Sequence, residues 1–107
     1  NVAYLVLGQS NPAATTLTTL YTVPSAKSAV CSTLVVCNQA GTTGTYRVAV
    51  RPAGATADPK HYIVYDAGLA ANSTDFLTIG ITLATTDVVS VYASSTSFSF
   101  GLYGDES

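Results

Sequence analysis

The residues that could form a serine hydrolase site are His61 and two nearby aspartates, Asp58 and Asp66. In a strand, His61 and Asp66 point to opposite faces because they are five positions apart, so Asp66 is not placed to orient the histidine. The sequence also lacks the G-x-S-x-G motif that exposes a nucleophilic serine. We therefore expect His61 to be structural or solvent-facing, and the protein not to be an enzyme.

A glycosidase would instead need a pair of carboxylates placed around a sugar. The aspartates available for such a pair each lie in a predicted loop or at a predicted strand end, where aspartate commonly stabilises a turn. They are Asp58, Asp66, Asp75 and Asp87. We therefore predict no catalytic residues.

The two cysteines and the single histidine do not predict a zinc site, because the sequence has no C-x-x-C motif and too few other ligands. Cys31 and Cys37 lie in one apolar run, and a strand would place them roughly 20 Å apart. A disulfide needs Cα atoms within about 7 Å. Both cysteines are therefore predicted to be free and to pack as small apolar residues, as suits a reducing cytoplasm. No cofactor or metal is expected.

The 107-residue chain has the length of one domain, with 48% hydrophobic residues, 9% charged residues and a net charge of -2. Disorder is excluded, because it requires low hydrophobicity and high charge. Binding to nucleic acid is not expected, because the few cations are scattered along the chain. They are Lys27, Arg47, Arg51 and Lys60. No membrane contact is expected either, because no apolar run approaches the length of a membrane span.

Alternation of apolar and polar residues, with turn residues every 8 to 12 positions, predicts short β-strands and no helix. The candidate strands are 3–7, 15–23, 29–38, 45–51, 60–66, 74–79, 81–83, 88–93 and 97–103. Eight or nine strands in one chain of this length predict an antiparallel β-sandwich, either Ig-like or jelly-roll-like. We expect residues 1–12 to form an N-terminal arm or added edge strand, 13–104 the sandwich, and 105–107 a short acidic tail.

Three features of the strands can be predicted further. Segment 29–38 is the most continuous apolar run and should be a central strand. Gly80 interrupts the apolar pattern and indicates a bulge or a bend between sheets. In the last strand, Phe98, Phe100 and Leu102 alternate with small residues and should face the core.

The outward positions of these strands are mostly Ser, Thr, Ala and Gly, with few charges. Soluble sheets usually protect their edges with charges, so this exterior favours contact with another protein, although a Ser/Thr-rich face can also be hydrated. Around Tyr62, alternation places Tyr62, Val64 and Asp66 on one face and His61, Ile63 and Tyr65 on the other. Both sets are bulky, so one should pack in the core and the other should meet a protein partner or, through a tyrosine beside an aspartate, a sugar.

Segments 20–27, 34–38, 46–54 and 87–93 together resemble small β-sandwich virion proteins of tailed bacteriophages. Such proteins include capsid decoration, or cement, proteins, and the chain is similar to those of cyanophages in particular. The resemblance extends over most of residues 20–104. Such sequences often read Pro-Ala-Gly-Lys where this chain has Ala26 before Lys27, so a turn that needs a positive φ there would be strained.

The resemblance implies a non-enzymatic structural role on the outside of the phage head, with the major capsid protein as partner and synthesis in the cytoplasm of the bacterial host. We also expect the protein to associate with itself as a dimer or trimer. The alternative is a tail or fibre-associated module that recognises a host surface glycan. The residues predicted to form protein interfaces are Val2, Tyr4, Leu5, Val6, Tyr62, Val64 and Tyr103.

Overall fold

The structure, a computed structural model, describes residues 4–107, and this part of the chain forms eight β-strands and no α-helix. The strands are β1 (Tyr4–Ser10), β2 (Thr18–Thr22), β3 (Ala29–Asn38), β4 (Gly44–Arg51), β5 (Tyr62–Leu69), β6 (Ser73–Leu83), β7 (Val88–Ala93) and β8 (Phe98–Glu106). Two single-turn 3-10 helices, Pro52–Gly54 and Pro59–His61, lie in the loop between β4 and β5. The predicted all-β architecture is confirmed.

The strands form two four-stranded antiparallel sheets, in the orders β1-β8-β3-β6 and β2-β7-β4-β5. Within these sheets, β1 pairs with β8, β2 with β7, β3 with β6 and β4 with β5. This nested pairing is that of one long hairpin rolled into a sandwich, which is the jelly-roll topology. The fold is therefore a jelly roll rather than an Ig-like sandwich.

The core lies between the two sheets and is built from the inward residues of each strand. On β3, Leu34 and Val36 are fully buried, and β3 lies between β8 and β6, so its predicted central place is confirmed. Phe98, Phe100 and Leu102 of β8 are also buried, as their alternation predicts. Because β3 is an inner strand of its sheet, its apolar sequence is nearly continuous, whereas β8, also an inner strand, alternates apolar with small residues.

Gly80 forms a bulge, as predicted, and does not end a strand. It has a φ of 55° and lies where the register between β3 and β6 shifts, so segments 74–79 and 81–83 form one strand. The extra residue of a bulge is accommodated without ending the ladder. Residues 4–107 therefore form eight strands and not nine.

Segments near both ends of the described chain belong to the sheet β1-β8-β3-β6. The segment expected to be an N-terminal arm or added edge strand contributes β1, an edge strand that pairs with β8 of its own chain, whereas residues 1–3, including Val2, lie outside the described residues. The expected acidic tail overlaps β8, because Asp105 and Glu106 pair with β3 and Asp105 is buried. Ser28 and Ser107 then exchange two backbone hydrogen bonds of 3.0 Å, which extends the pairing past the predicted boundary.

Two tyrosines link the sheets by hydrogen bonds to carboxylates. Tyr21 on β2 donates its hydroxyl to Oε1 of Glu106 on β8 at 2.7 Å, and Tyr46 on β4 donates to Oδ2 of Asp75 on β6 at 2.9 Å. Burial, reinforced by these bonds, raises the pKa of both tyrosines well above the ordinary value. Asp75, considered above as a turn residue, therefore lies within a strand and connects the two layers.

Candidate functional site

His61 has a structural role that its sequence position does not reveal. It is buried, and its Nδ1 accepts a hydrogen bond of 3.1 Å from the backbone N–H of Asp58, while Asp58 Oδ2 accepts one of 3.2 Å from the N–H of Lys60. This reciprocal arrangement is a capping box around the 3-10 turn. The imidazole therefore closes the loop that leads into β5, in agreement with the structural alternative.

The cysteines are unpaired and no cluster suited to a metal ion forms in the part of the chain that the structure describes. Cys31 and Cys37 are both free, and burial raises the pKa of the Cys31 thiol to about 11. No group of three or more His, Cys, Asp or Glu side chains suited to a metal ion occurs among residues 4–107. Residues 4–107 also present three candidate binding surfaces on the sandwich.

The first surface is built around β5, where the pairing with β4 is irregular at two positions. Asp66 there has a φ of 54°, which aspartate tolerates better than most residues. The irregularities break the strict alternation, so that the rings of Tyr62 and Tyr65 meet edge to face with centroids 5.1 Å apart. The prediction that these two tyrosines lie on opposite faces is therefore wrong.

Arg47 of β4 contacts two tyrosine rings and one aspartate on the outer side of this surface. Its guanidinium lies 4.2 Å from the ring centroid of Tyr65 and 4.1 Å from that of Tyr92, within the range of cation–π attraction. It also pairs with Asp66 through Nε to Oδ1 at 2.6 Å and Nη2 to Oδ2 at 3.3 Å. The hydrogen bond to Asp66 raises the pKa of Arg47, and the bidentate pair holds the guanidinium between the two rings.

Beside this cluster lies a depression of about 470 Å³, here called the tyrosine depression. It is lined by Ala57, Asp58, Pro59, Tyr62 and Tyr65. Tyr65 is 60% exposed and Tyr62 is half-buried. Two phenol rings and one carboxylate can hold a polar organic ring through stacking and hydrogen bonding.

The second surface lies on edge strand β1 and extends over β8 to Ser32 of β3. Tyr4 is 79% exposed and Val6 52% exposed, and Leu5 is also exposed. Val6 pairs with Tyr103 of β8, and all four side chains line a shallow depression of about 320 Å³ together with Ser32 and Gly104. We call Tyr4, Leu5, Val6 and Tyr103 the β1 patch.

The third surface is the flank where β5 and β6, the edge strands of the two sheets, face each other. An apolar depression of about 420 Å³ lies there, and we call this side the open flank. It is lined by Ile63, Val64, Phe76, Leu77, Thr78, Ile79 and Ile81. Phe76 is 73% exposed. On the opposite flank β1 approaches β2 so closely that a Cβ on Gly8 would overlap the carbonyl oxygen of Leu20, so that side is closed.

The residues predicted as interfaces therefore separate into different places. Tyr4, Leu5, Val6 and Tyr103 come together in the β1 patch. Tyr62 lies in the tyrosine depression and Val64 in the open flank, on the edge strand of the other sheet. Sequence reasoning missed Phe76, although strand alternation within 73–79 could have revealed it, because its neighbours Asp75 and Leu77 take the inward positions.

No family model and no curated protein sequence matches the chain. Among solved structures, it is similar to a chain in the structure of infectious bursal disease virus Gx strain, with 14% identity and a TM-score of 0.48. The match covers 96% of this chain and 32% of that one, so this chain spans about a third of the viral chain's length. Within residues 4–107, the structure contains no helix long and apolar enough to cross a membrane.

Proposed function

We propose that this chain is a non-enzymatic virion structural protein that binds the outside of a phage capsid and cements neighbouring major capsid protein subunits. The observation that carries this proposal is the β1 patch, where large apolar side chains lie exposed on the edge of a sheet. The resemblance of segments 20–27, 34–38, 46–54 and 87–93 to phage cement proteins supports it. The jelly roll is shared by viral capsid and lectin domains, so the fold is compatible with this role without selecting it.

The edge position of β1 explains how such binding would work. One side of β1 pairs with β8, and the other side is an edge of its sheet in the order β1-β8-β3-β6. The residues of β1, YLVLGQS, include no charge that would protect this edge. An extended segment of a capsid subunit can therefore add to β1 through backbone hydrogen bonds, while Tyr4 and Val6 supply apolar contact. The low net charge of -2 opposes such docking only weakly.

The test is binding to capsids assembled without this chain, from the phage whose genome encodes it. The double variant Tyr4→Ser, Val6→Ser should lower occupancy at a fixed protein concentration by about tenfold or more, because two exposed apolar anchors are removed. Tyr65→Ser is the matched control, since it removes a similarly exposed tyrosine from the other sheet. Omission of residues 1–10 should abolish occupancy. Capsid binding through β1 would be refuted if occupancy were unchanged both for the Tyr4→Ser, Val6→Ser protein and for the protein that lacks residues 1–10.

The tyrosine depression favours a second candidate function, a tail or fibre-associated module that recognises a host surface glycan. It places an exposed tyrosine beside an aspartate in a depression lined by the 52–61 loop, which is the arrangement a sugar would need. Saturation-transfer NMR against a panel of host-type saccharides should then show ring-proton signals for wild type. These signals should be lost in Tyr65→Ser and kept in the Tyr4→Ser, Val6→Ser protein. A panel without any signal would exclude this candidate.

A further inference from the structure

Strand β6 is an edge strand with little protection against pairing. It has eleven residues, Ser73–Leu83, and pairs with β3 on one side only in the order β1-β8-β3-β6. Soluble sheets commonly shorten such an edge or place lysine or proline on it. Here the sequence STDFLTIGITL has neither, and its one charged side chain, Asp75, is held by the hydroxyl of Tyr46. The one charge on this edge is therefore directed toward the other sheet and not toward a strand that would pair with β6.

The regular part of β6 is self-complementary. Residues Ser73 to Thr78 pair with β3 without interruption, and the bulge at Gly80 comes only after them. In an antiparallel pair of two copies centred on Phe76, each Thr74 lies opposite the Thr78 of the other copy. The two Phe76 rings then lie opposite each other. Threonine pairs and aromatic pairs are among the favourable cross-strand neighbours.

On the face of the paired strands that points toward the core, no two like charges lie directly opposite each other. In this register Asp75 lies opposite Leu77 of the second copy, and the two Asp75 residues are offset. Pairing also places the open flank of one copy against that of the other, because β5 lies beside β6. The exposed side chains of Ile63 and Phe76, which are 46% and 73% exposed in the single chain, are then covered.

We propose that two copies of this chain associate through β6, antiparallel and centred on Phe76, so that their sheets join into one eight-stranded sheet. The two-fold arrangement is closed, which limits the assembly to a dimer at this edge. It leaves β1 at the two ends of the joined sheet, so the β1 patch stays available to a different partner. Because self-association is measured with the purified chain alone, its absence can be distinguished from an absence of capsid binding.

The first test is the mass of the full chain in solution, by sedimentation velocity across a range of concentrations. Wild type should sediment as a dimer with twice the 11.0 kDa mass of the chain. Phe76→Lys should weaken the association at least about tenfold, because it replaces the aromatic pair by two opposed cations. Tyr4→Lys is the control, with a comparably exposed aromatic on the far edge of the same sheet, and should stay dimeric. A monomeric or trimeric wild type, or an unaffected Phe76→Lys protein, would overturn the proposal.

The second test determines the register without removing Phe76. Thr74→Cys and Thr78→Cys are prepared separately in a Cys37→Ser background and oxidised alone and as a mixture. The proposed register predicts a disulfide-linked dimer from the mixture and none from either protein alone, because position 74 lies opposite position 78 and neither position lies opposite itself. Cross-linking of Thr78→Cys alone, or no cross-linking in the mixture, would overturn the pairing centred on Phe76.

Discussion

At the scale of single residues, several side chains are held in a left-handed backbone conformation that suits glycine better. Asp66 and Asn72 have φ values of 54° and 53°, which polar residues of this type tolerate. Ala26 has a φ of 62° at the third position of the turn formed by residues 24–27, where Lys27 N–H donates to the carbonyl of Pro24 at 3.2 Å. A positive φ confined to this position is the signature of a type II turn, which prefers glycine there. The strain expected from the sequence is therefore present.

Substitution of Ala26 by glycine should stabilise the protein. The left-handed conformation costs alanine roughly 1–2 kcal/mol, and the greater flexibility of unfolded glycine offsets about half of this. We expect Ala26→Gly to raise the free energy of unfolding by about 0.5–1 kcal/mol, measured by urea denaturation. Ala70→Gly, at an exposed loop position outside the left-handed region, should instead lower it by a similar amount. Equal changes in the two variants would contradict this account.

At the scale of elements, the sequence predicted best where a strand is buried or alternates without interruption. Segments 29–38 and 88–93 coincide with β3 and β7, because their apolar content is continuous and both strands lie inside their sheets. The end of β8 was placed too early because Gly104 resembles a turn residue. In the structure a Cβ on Gly104 would overlap the carbonyl oxygen of Val30, so this glycine permits close approach of β8 to β3. The requirement for glycine at this position arises only from the pairing of β8 with β3, which is distant in the sequence.

The candidate sites were less predictable than the strands. The exposed residues of β1 were identified because they are apolar and lie at one end of the chain. The meeting of Tyr62 and Tyr65 depends on two irregularities in the pairing of β5 with β4, which local sequence does not signal. The open flank depends on which strands become the edges of the two sheets. That order follows from tertiary pairing, so neither Ig-like nor jelly-roll topology could be chosen from the strand pattern alone.

At the scale of the whole molecule, the two layers are joined by buried apolar contact and by the two tyrosine–carboxylate hydrogen bonds. Tyr46 also packs its ring against Phe98 and Phe100, at centroid distances of 6.2 and 6.1 Å. Because burial and hydrogen bonding raise the pKa of Tyr21 and Tyr46 in the folded state, their ionisation is linked to stability. Below pH about 10 these tyrosines are protonated in both states, so their contribution is constant.

Above pH about 10 the unfolded chain releases protons that folded Tyr21 and Tyr46 retain, so stability should fall by about 1.4 kcal/mol per pH unit for each. We expect their combined slope to approach roughly 2.7 kcal/mol per pH unit in urea unfolding between pH 11 and 12, above the pKa of about 11 to which burial raises the Cys31 thiol. Tyr46→Phe should about halve this slope, while lowering stability at pH 7 by about 1 kcal/mol because Asp75 loses its donor. Tyr4→Phe, at a largely exposed position, should leave the slope unchanged. If Tyr46→Phe and Tyr4→Phe had the same slope, the bond between β4 and β6 would not be the origin of the alkaline sensitivity.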